Sequence, residues 1–204
     1  FSFKSVGIQA QGRTTILKIN YRNTRQILQT ASMVAADLLR SEESSDDGVP
    51  LVQPVSCGRD GQEPVVIRLP SLRDEALRIA ELLSSAHQEG YAWGDMAIIC
   101  RHYSEMERCS AVLRYRQLPH EVRKGSGTFN PLADSIKILT MHASKGLEFP
   151  VVALSGVGQM PEDGHDEADE ARLFYVAATR ATQRLLIPLS GHGKFASRLP
   201  ALQI

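Results

Sequence analysis

The feature that most constrains this chain is a regular alternation of two patterns. Short, almost unbroken runs of Ile, Val and Leu occur at Thr15–Ile19, Val65–Leu69, Met96–Cys100, Ile136–Met141, Val151–Leu154 and Leu185–Leu189. Such runs lack polar alternation, which predicts strands covered on both faces. Between them lie helical patterns. Thr24–Arg40 places Ile27, Leu28, Ala31, Val34, Ala35 and Leu38 on one stripe, with Thr24 as N-cap. Leu72–Glu89 repeats the pattern with Ala76, Ile79, Ala80 and Leu83. Ser104–Gln117 opens with Ser104 and Glu107 at capping-box spacing. Glu167–Ala181 carries Ala171, Phe174, Tyr175 and Ala178. Strand and helix in alternation predict an α/β fold with a mostly parallel sheet.

The 204 residues suffice for one large domain or two small ones. A hydrophobic content of 43% excludes disorder throughout, and no apolar run approaches the ~20 residues that span a bilayer. Loops are expected at Ser41–Gln62, Lys124–Pro131 and Gly156–Asp166, the first on the surface. The three cysteines, Cys57, Cys100 and Cys109, form no CxxC pair and suggest a reduced, cytoplasmic setting. The histidines lack metal-ligand spacing, so no metal site is expected. The chain starts at Phe1 without a signal-peptide pattern and reads as a piece of a longer polypeptide.

The net charge is zero, which at first sight argues against nucleic acid. The charges are segregated, however. Residues 1–40 carry six bases (Lys4, Arg13, Lys18, Arg22, Arg25, Arg40) and one acid, Asp37. Residues 162–170 carry six acids and no base, and residues 180–204 carry four bases and no acid. A zero sum therefore hides local fields.

Standard phosphate-loop chemistry is absent. Lys194 follows Gly193, but Phe195 stands where a hydroxyl is needed and Pro188 where the first glycine is needed. GxGxxG and GxSxG are absent as well, and no strand ends in paired acids for magnesium. Three segments exceed what plain connections need. Asn20-Tyr21-Arg22-Asn23-Thr24 puts an aromatic beside an arginine between strand and helix, a pair able to stack on a base and reach a phosphate. Thr140-Met141-His142-Ala143-Ser144-Lys145-Gly146-Leu147-Glu148-Phe149-Pro150 crowds donors and one carboxylate between two apolar strands. Tyr175-Val176-Ala177-Ala178-Thr179-Arg180-Ala181 ends an apolar helix on an arginine.

Together these segments resemble motifs IV, V and VI of the UvrD/Rep/PcrA family of superfamily 1 DNA helicases. Motif IV is carried by Leu17–Thr24, motif V by Ile138–Val152 and motif VI by Glu170–Ala181; Asp95–Val122 is similar to the unit between motifs IV and V. The resemblance runs from about Thr15 to Leu189. It implies a RecA-like, P-loop NTPase-like domain without its own phosphate loop, residues 1–204 forming the C-terminal half of a two-domain motor. It implies ATP with Mg2+, the metal and most phosphate contacts being held by the absent N-terminal RecA-like domain. Tyr21 would stack on adenine, Arg22 and Arg180 would contact the γ-phosphate and act catalytically, and Glu148 would bind the ribose. Thr140, His142, Ser144 and Lys145 would face single-stranded DNA. The four nucleotide residues would then line one face of the sheet's edge. The full-length protein would be an ATP-dependent helicase of 3′-to-5′ polarity acting on single-stranded or partly duplex DNA, for instance in DNA repair. It would be cytoplasmic and nucleoid-associated in a bacterium, and the fragment alone would be inactive.

One departure stands out. The family's large insertion subdomain would fall between Val122 and the strand before motif V, where only Arg123–Ser135 is present. Either the parent protein naturally lacks that subdomain, the reading we favour, or it has been deleted. A non-catalytic DNA-binding or interaction module that keeps the fold is the alternative; Arg22, Arg180 and Glu148 argue against it.

Overall fold

The strand Met96–Cys100 shows why the chain folds in three layers: all five residues are buried. Ala97 and Ile99 belong to one core, while Met96, Ile98 and Cys100 belong to another. Successive side chains of a strand point to opposite faces, so a wholly apolar strand demands cover on both. In the computed structural model, which describes residues 19–20, 22–40, 55–56, 58–125, 127–130 and 133–200, that cover is helical. The elements run β1 (Ile19–Asn20), α1 (Arg25–Arg40), β2 (Val55–Ser56), β3 (Val65–Arg68), α2 (Leu72–Gln88), β4 (Met96–Cys100), α3 (Tyr103–Tyr115), β5 (His120–Val122), β6 (Ile136–Thr140), β7 (Phe149–Ser155), α4 (Glu167–Ala178), β8 (Ala181–Leu189) and α5 (Lys194–Arg198).

Strands β3-β8-β7-β4-β6-β5 form a six-stranded sheet in that order, and every pairing is parallel. β1 and β2 make a separate parallel pair. Helices α1, α4 and α5 cover one face, α2 and α3 the other. Helices α1 and α4 pack on each other, and both bring small residues to the shared core, Ala31 and Ala35 from α1 and Ala171, Ala177 and Ala178 from α4, all fully buried. Small side chains let helix axes approach closely. The expected α/β class with a parallel sheet is thus observed. Among the described residues no helix is long and apolar enough to cross a membrane.

Several boundaries differ from the sequence reading, each for a local reason. Thr24 caps α1 as expected, its hydroxyl accepting the Ile27 amide at 3.4 Å. Helix α3 begins at Tyr103, and the Glu105 carboxylate accepts the His102 N–H, so the Ser104/Glu107 capping box does not form. Glu107 instead pairs with Lys124 at 3.1 Å. Helix α4 stops at Ala178, short of the expected Ala181, and Ala181 already belongs to β8. β8 starts at Ala181, four residues before Leu185; the polar Thr182, Gln183 and Arg184 interrupt the apolar run and conceal this part of the strand. β7 includes Phe149 and Pro150, with an irregular register between Phe149 and Val151 where the proline lacks a donor. Within the predicted 41–63 loop, residues 41–54 and 57 lie outside the described residues. Val55–Ser56 is strand β2, and Arg59–Gly61 docks on α1. Asp60 pairs with Arg25 at 2.6 Å, and Gly61 N donates to Gln26 Oε1 at 2.9 Å.

The described part of 123–135 contains no helix or strand. It is fastened by buried Lys137, whose ammonium donates to Ser135 Oγ, Asn130 O and Ala133 O at 2.9–3.2 Å and pairs with Glu121 at 3.3 Å.

Candidate functional site

The register fixes which residues are level. Cys100 pairs with both Thr140 and Ser155, so these three mark the carboxyl edge of the sheet. Phe149 pairs with Ala181, which marks the amino edge. Glu148 and Arg180 immediately precede these two residues and therefore lie side by side at the amino edge.

Arg180 is rigidly held there. Its Nε donates to Val176 O at 2.8 Å and its Nη1 to Leu147 O at 3.1 Å. The turn that carries it is clamped from outside. Asn23 Nδ2 donates to the carbonyls of Thr179 and Ala181, at 2.8 and 2.6 Å, the two residues flanking Arg180. The Thr179 hydroxyl donates to Tyr175 O at 2.8 Å. The Thr179 N–H closes the last helical turn on Tyr175 O at 3.0 Å, and the Arg180 N–H tightens to Ala177 O at 3.1 Å, so the chain leaves α4 in a short turn that the side-chain bonds hold from both sides. Burial pushes the Arg180 pKa below its ordinary value, the neighbouring Arg22 charge adds to this, and Glu148 opposes it. Arg22, Glu148 and Arg180 are therefore within electrostatic reach of one another. Arg22 Nε meets Glu148 Oε2 at 2.7 Å, both side chains being more than half exposed. The structure thus brings together three of the four residues expected at a nucleotide; Tyr21 lies outside the described residues. Arg22 and Glu148, expected at opposite ends of a nucleotide, here pair with each other.

The other predicted cluster sits at the carboxyl edge. Thr140 and His142 line an open cleft of about 480 Å³ with Arg101, His102, Tyr103 and Ser104. The amino terminus of α3 opens into it, a favourable setting for an anion. His142 is exposed, and Thr140 Oγ1 accepts the Ala143 N–H at 3.2 Å. Ser144 departs from expectation. It is fully buried and its hydroxyl donates to Met141 O at 2.6 Å, so it shapes the loop and does not face a ligand. Lys145 is exposed further along the loop and does not line the cleft.

Two segments join the edges. Met141–Glu148 runs back from the end of β6 to the start of β7, a strand of seven residues and hence roughly 20 Å. It does so without an α-helix. A 3-10 turn at His142–Ser144 is followed by Gly146 at φ +83°, a conformation that L side chains resist. Arg123 Nη1 supports this connector by donating to Ala143 O at 3.3 Å. The second link is α4, twelve residues and about 18 Å long. At its start Glu170 takes a two-point ion pair from Arg101, Nε at 2.9 Å and Nη2 at 2.7 Å.

Sequence reasoning missed Asn23, Arg101 and Glu170 as organising residues. Asn23 was visible only as part of a segment, because its partners lie more than 150 residues away. Among the described residues no cluster of His, Cys, Asp and Glu is arranged to hold a metal ion.

Comparison with known proteins places the chain in a family. The profile of the UvrD-like helicase C-terminal domain matches residues 15–131 and 126–191. A "Probable DNA helicase" of Mycoplasma pneumoniae is 29% identical over 178 residues, covering 82% of this chain and 30% of that protein. DNA helicase II of Escherichia coli is 37% identical over 70 residues, 31% of this chain and 10% of that protein. The chain thus spans less than a third of the length of either relative. The crystal structure of the C-terminal domain of a possible DNA helicase from Lactobacillus plantarum shares the fold, with a TM-score of 0.65 at 20% identity over 89% of this chain and 94% of that one. With the profile matching most of its length, the chain belongs to the family of UvrD-like helicase C-terminal domains.

Proposed function

We propose that this chain is the second motor domain of an ATP-dependent DNA helicase of 3′-to-5′ polarity. On this reading it completes an ATP site begun by an N-terminal RecA-like domain and contacts single-stranded DNA with its opposite edge. The observation that carries the reading is the amino-edge cluster, where Arg180 is locked by main-chain acceptors beside Arg22 and Glu148. A planar cation held in advance suits charge that spreads over transferring phosphoryl oxygens. The residues fit half of a nucleotide site. Two guanidinium groups match the γ-phosphate and one carboxylate matches ribose hydroxyls, whereas no acidic cluster among the described residues would hold magnesium. ATP with Mg2+ supplies the phosphoryl group and the charge neutralisation; the metal and most phosphate contacts belong to the other domain.

Arg180 provides the fixed cation. Arg22 is the adjustable one, since an exposed ion pair is worth only ~0–1 kcal/mol. The Arg22–Glu148 pair therefore parts readily to let each side chain meet its end of the nucleotide. At the carboxyl edge, Thr140 and His142 offer a hydroxyl and an imidazole to a sugar–phosphate backbone without reading bases. Lys145 adds charge alongside. Duplex DNA with a single-stranded tail is the expected substrate.

The test is ATP turnover with and without single-stranded DNA. This chain alone should hydrolyse no ATP, and the full-length polypeptide should do so with DNA stimulation. Substantial turnover by the isolated chain contradicts the half-site reading. A full-length protein that binds DNA without hydrolysing ATP supports a non-catalytic module instead.

A further inference from the structure

We propose that Arg101 and Glu170 form a positioning pair through which occupancy of the carboxyl-edge cleft sets the placement of Arg180 at the amino edge, with α4 as the rigid link. This inference rests on the function proposed above.

Arg101 follows the last residue of β4 and forms part of the cleft wall with Thr140 and His142. Its backbone is fixed to the sheet by an N–H bond to Ser155 O at 3.3 Å. Its head group is turned to α4, where Glu170 receives it at two points; the side chains are only 12% and 6% exposed. The Glu170 hydrogen bond is the main reason the Arg101 pKa lies above its ordinary value. Glu162 stands 3.7 Å from the same guanidinium, and His165 stands 4.0 Å from Glu170. A backbone phosphate entering the cleft brings a further anion to a guanidinium already shared by two carboxylates, and the geometry of the pair must respond.

The response has one stiff route. Glu170 lies in the first turn of α4, whose Ala171, Phe174, Ala177 and Ala178 are fully buried against the sheet and α1. A helix packed in this way shifts as a body and does not bend residue by residue. Its far end holds Arg180 directly through Val176 O, and the following turn is gripped by Asn23. A pair that served only to anchor α4 would affect both edges alike. A positioning pair affects their coupling.

The full-length protein carrying Glu170→Gln separates these roles. Its basal ATP turnover and its affinity for an oligo-deoxythymidine strand are expected within about twofold of wild type, while DNA stimulation of turnover falls about tenfold. An unchanged stimulation factor overturns the proposal, including the case where basal and stimulated rates fall in proportion. Should Glu170→Gln fail to fold, Glu170→Asp, which keeps the charge but shortens the reach, decides the matter by the same factor. Arg180→Ala measured in parallel keeps the two readings apart. Turnover surviving that change defeats the proposed function itself, whereas its loss together with intact stimulation in the Glu170 variant defeats only the positioning pair.

Discussion

The two edges of the sheet are built on different principles. At the amino edge, Arg180 has main-chain partners on two sides and sits in a turn bracketed by the Asn23 amide. At the carboxyl edge, the cleft is open and its histidine exposed. The contrast matches the tasks proposed for them. Stabilising a transition state depends on placement to a fraction of an ångström. Holding a sugar–phosphate chain that must move past tolerates looser side chains. Rigidity is concentrated where chemistry would need it, and the cleft is left adaptable.

Substitutions at either edge sharpen or break this contrast. The largest effect is expected from Arg180→Ala in the full-length protein, about a thousandfold loss of ATP turnover by steady-state assay. Arg180→Lys should recover little of it, because an ammonium cannot reproduce the planar two-sided contact. Asn23→Ala comes next. It leaves two carbonyls without the amide, so chemical denaturation of this domain should show a loss of about 2 kcal/mol, together with reduced turnover. An unchanged unfolding midpoint would mean that the turn holds itself. His142→Ala at the other edge should weaken oligonucleotide binding by about 1 kcal/mol, read by fluorescence titration, and leave basal turnover intact. A change of similar size is expected from Glu148→Gln. Nucleotide affinity should drop a few-fold, about 1 kcal/mol. Thermal stability should stay constant, since the pair it loses with Arg22 is exposed.

Much of this arrangement was legible in the sequence, and the reasons it stopped where it did are physical. Unbroken apolar runs revealed β4, β6 and the cores of β7 and β8, because a strand covered on both faces leaves no other signature. Arg22, Glu148 and Arg180 were legible through the segments that carry them. Asn23 and the Arg101–Glu170 pair were not, because each works through partners distant in sequence, 69 residues apart for the pair. Ser144 could be read as a donor but not as a buried one, since a loop's composition does not reveal which side chains turn inward. β5 was missed because His120–Val122 is a short, half-buried edge strand without an apolar run.

The most direct measurement is ATP turnover as a function of single-stranded DNA concentration in the full-length protein, compared between Arg180→Ala and His142→Ala. Division of labour between the edges predicts opposite patterns. Arg180→Ala should lower the maximal rate about a thousandfold with the half-saturating DNA concentration unchanged, and His142→Ala should raise that concentration several-fold with the maximal rate nearly intact. A maximal rate that survives Arg180→Ala would contradict the account.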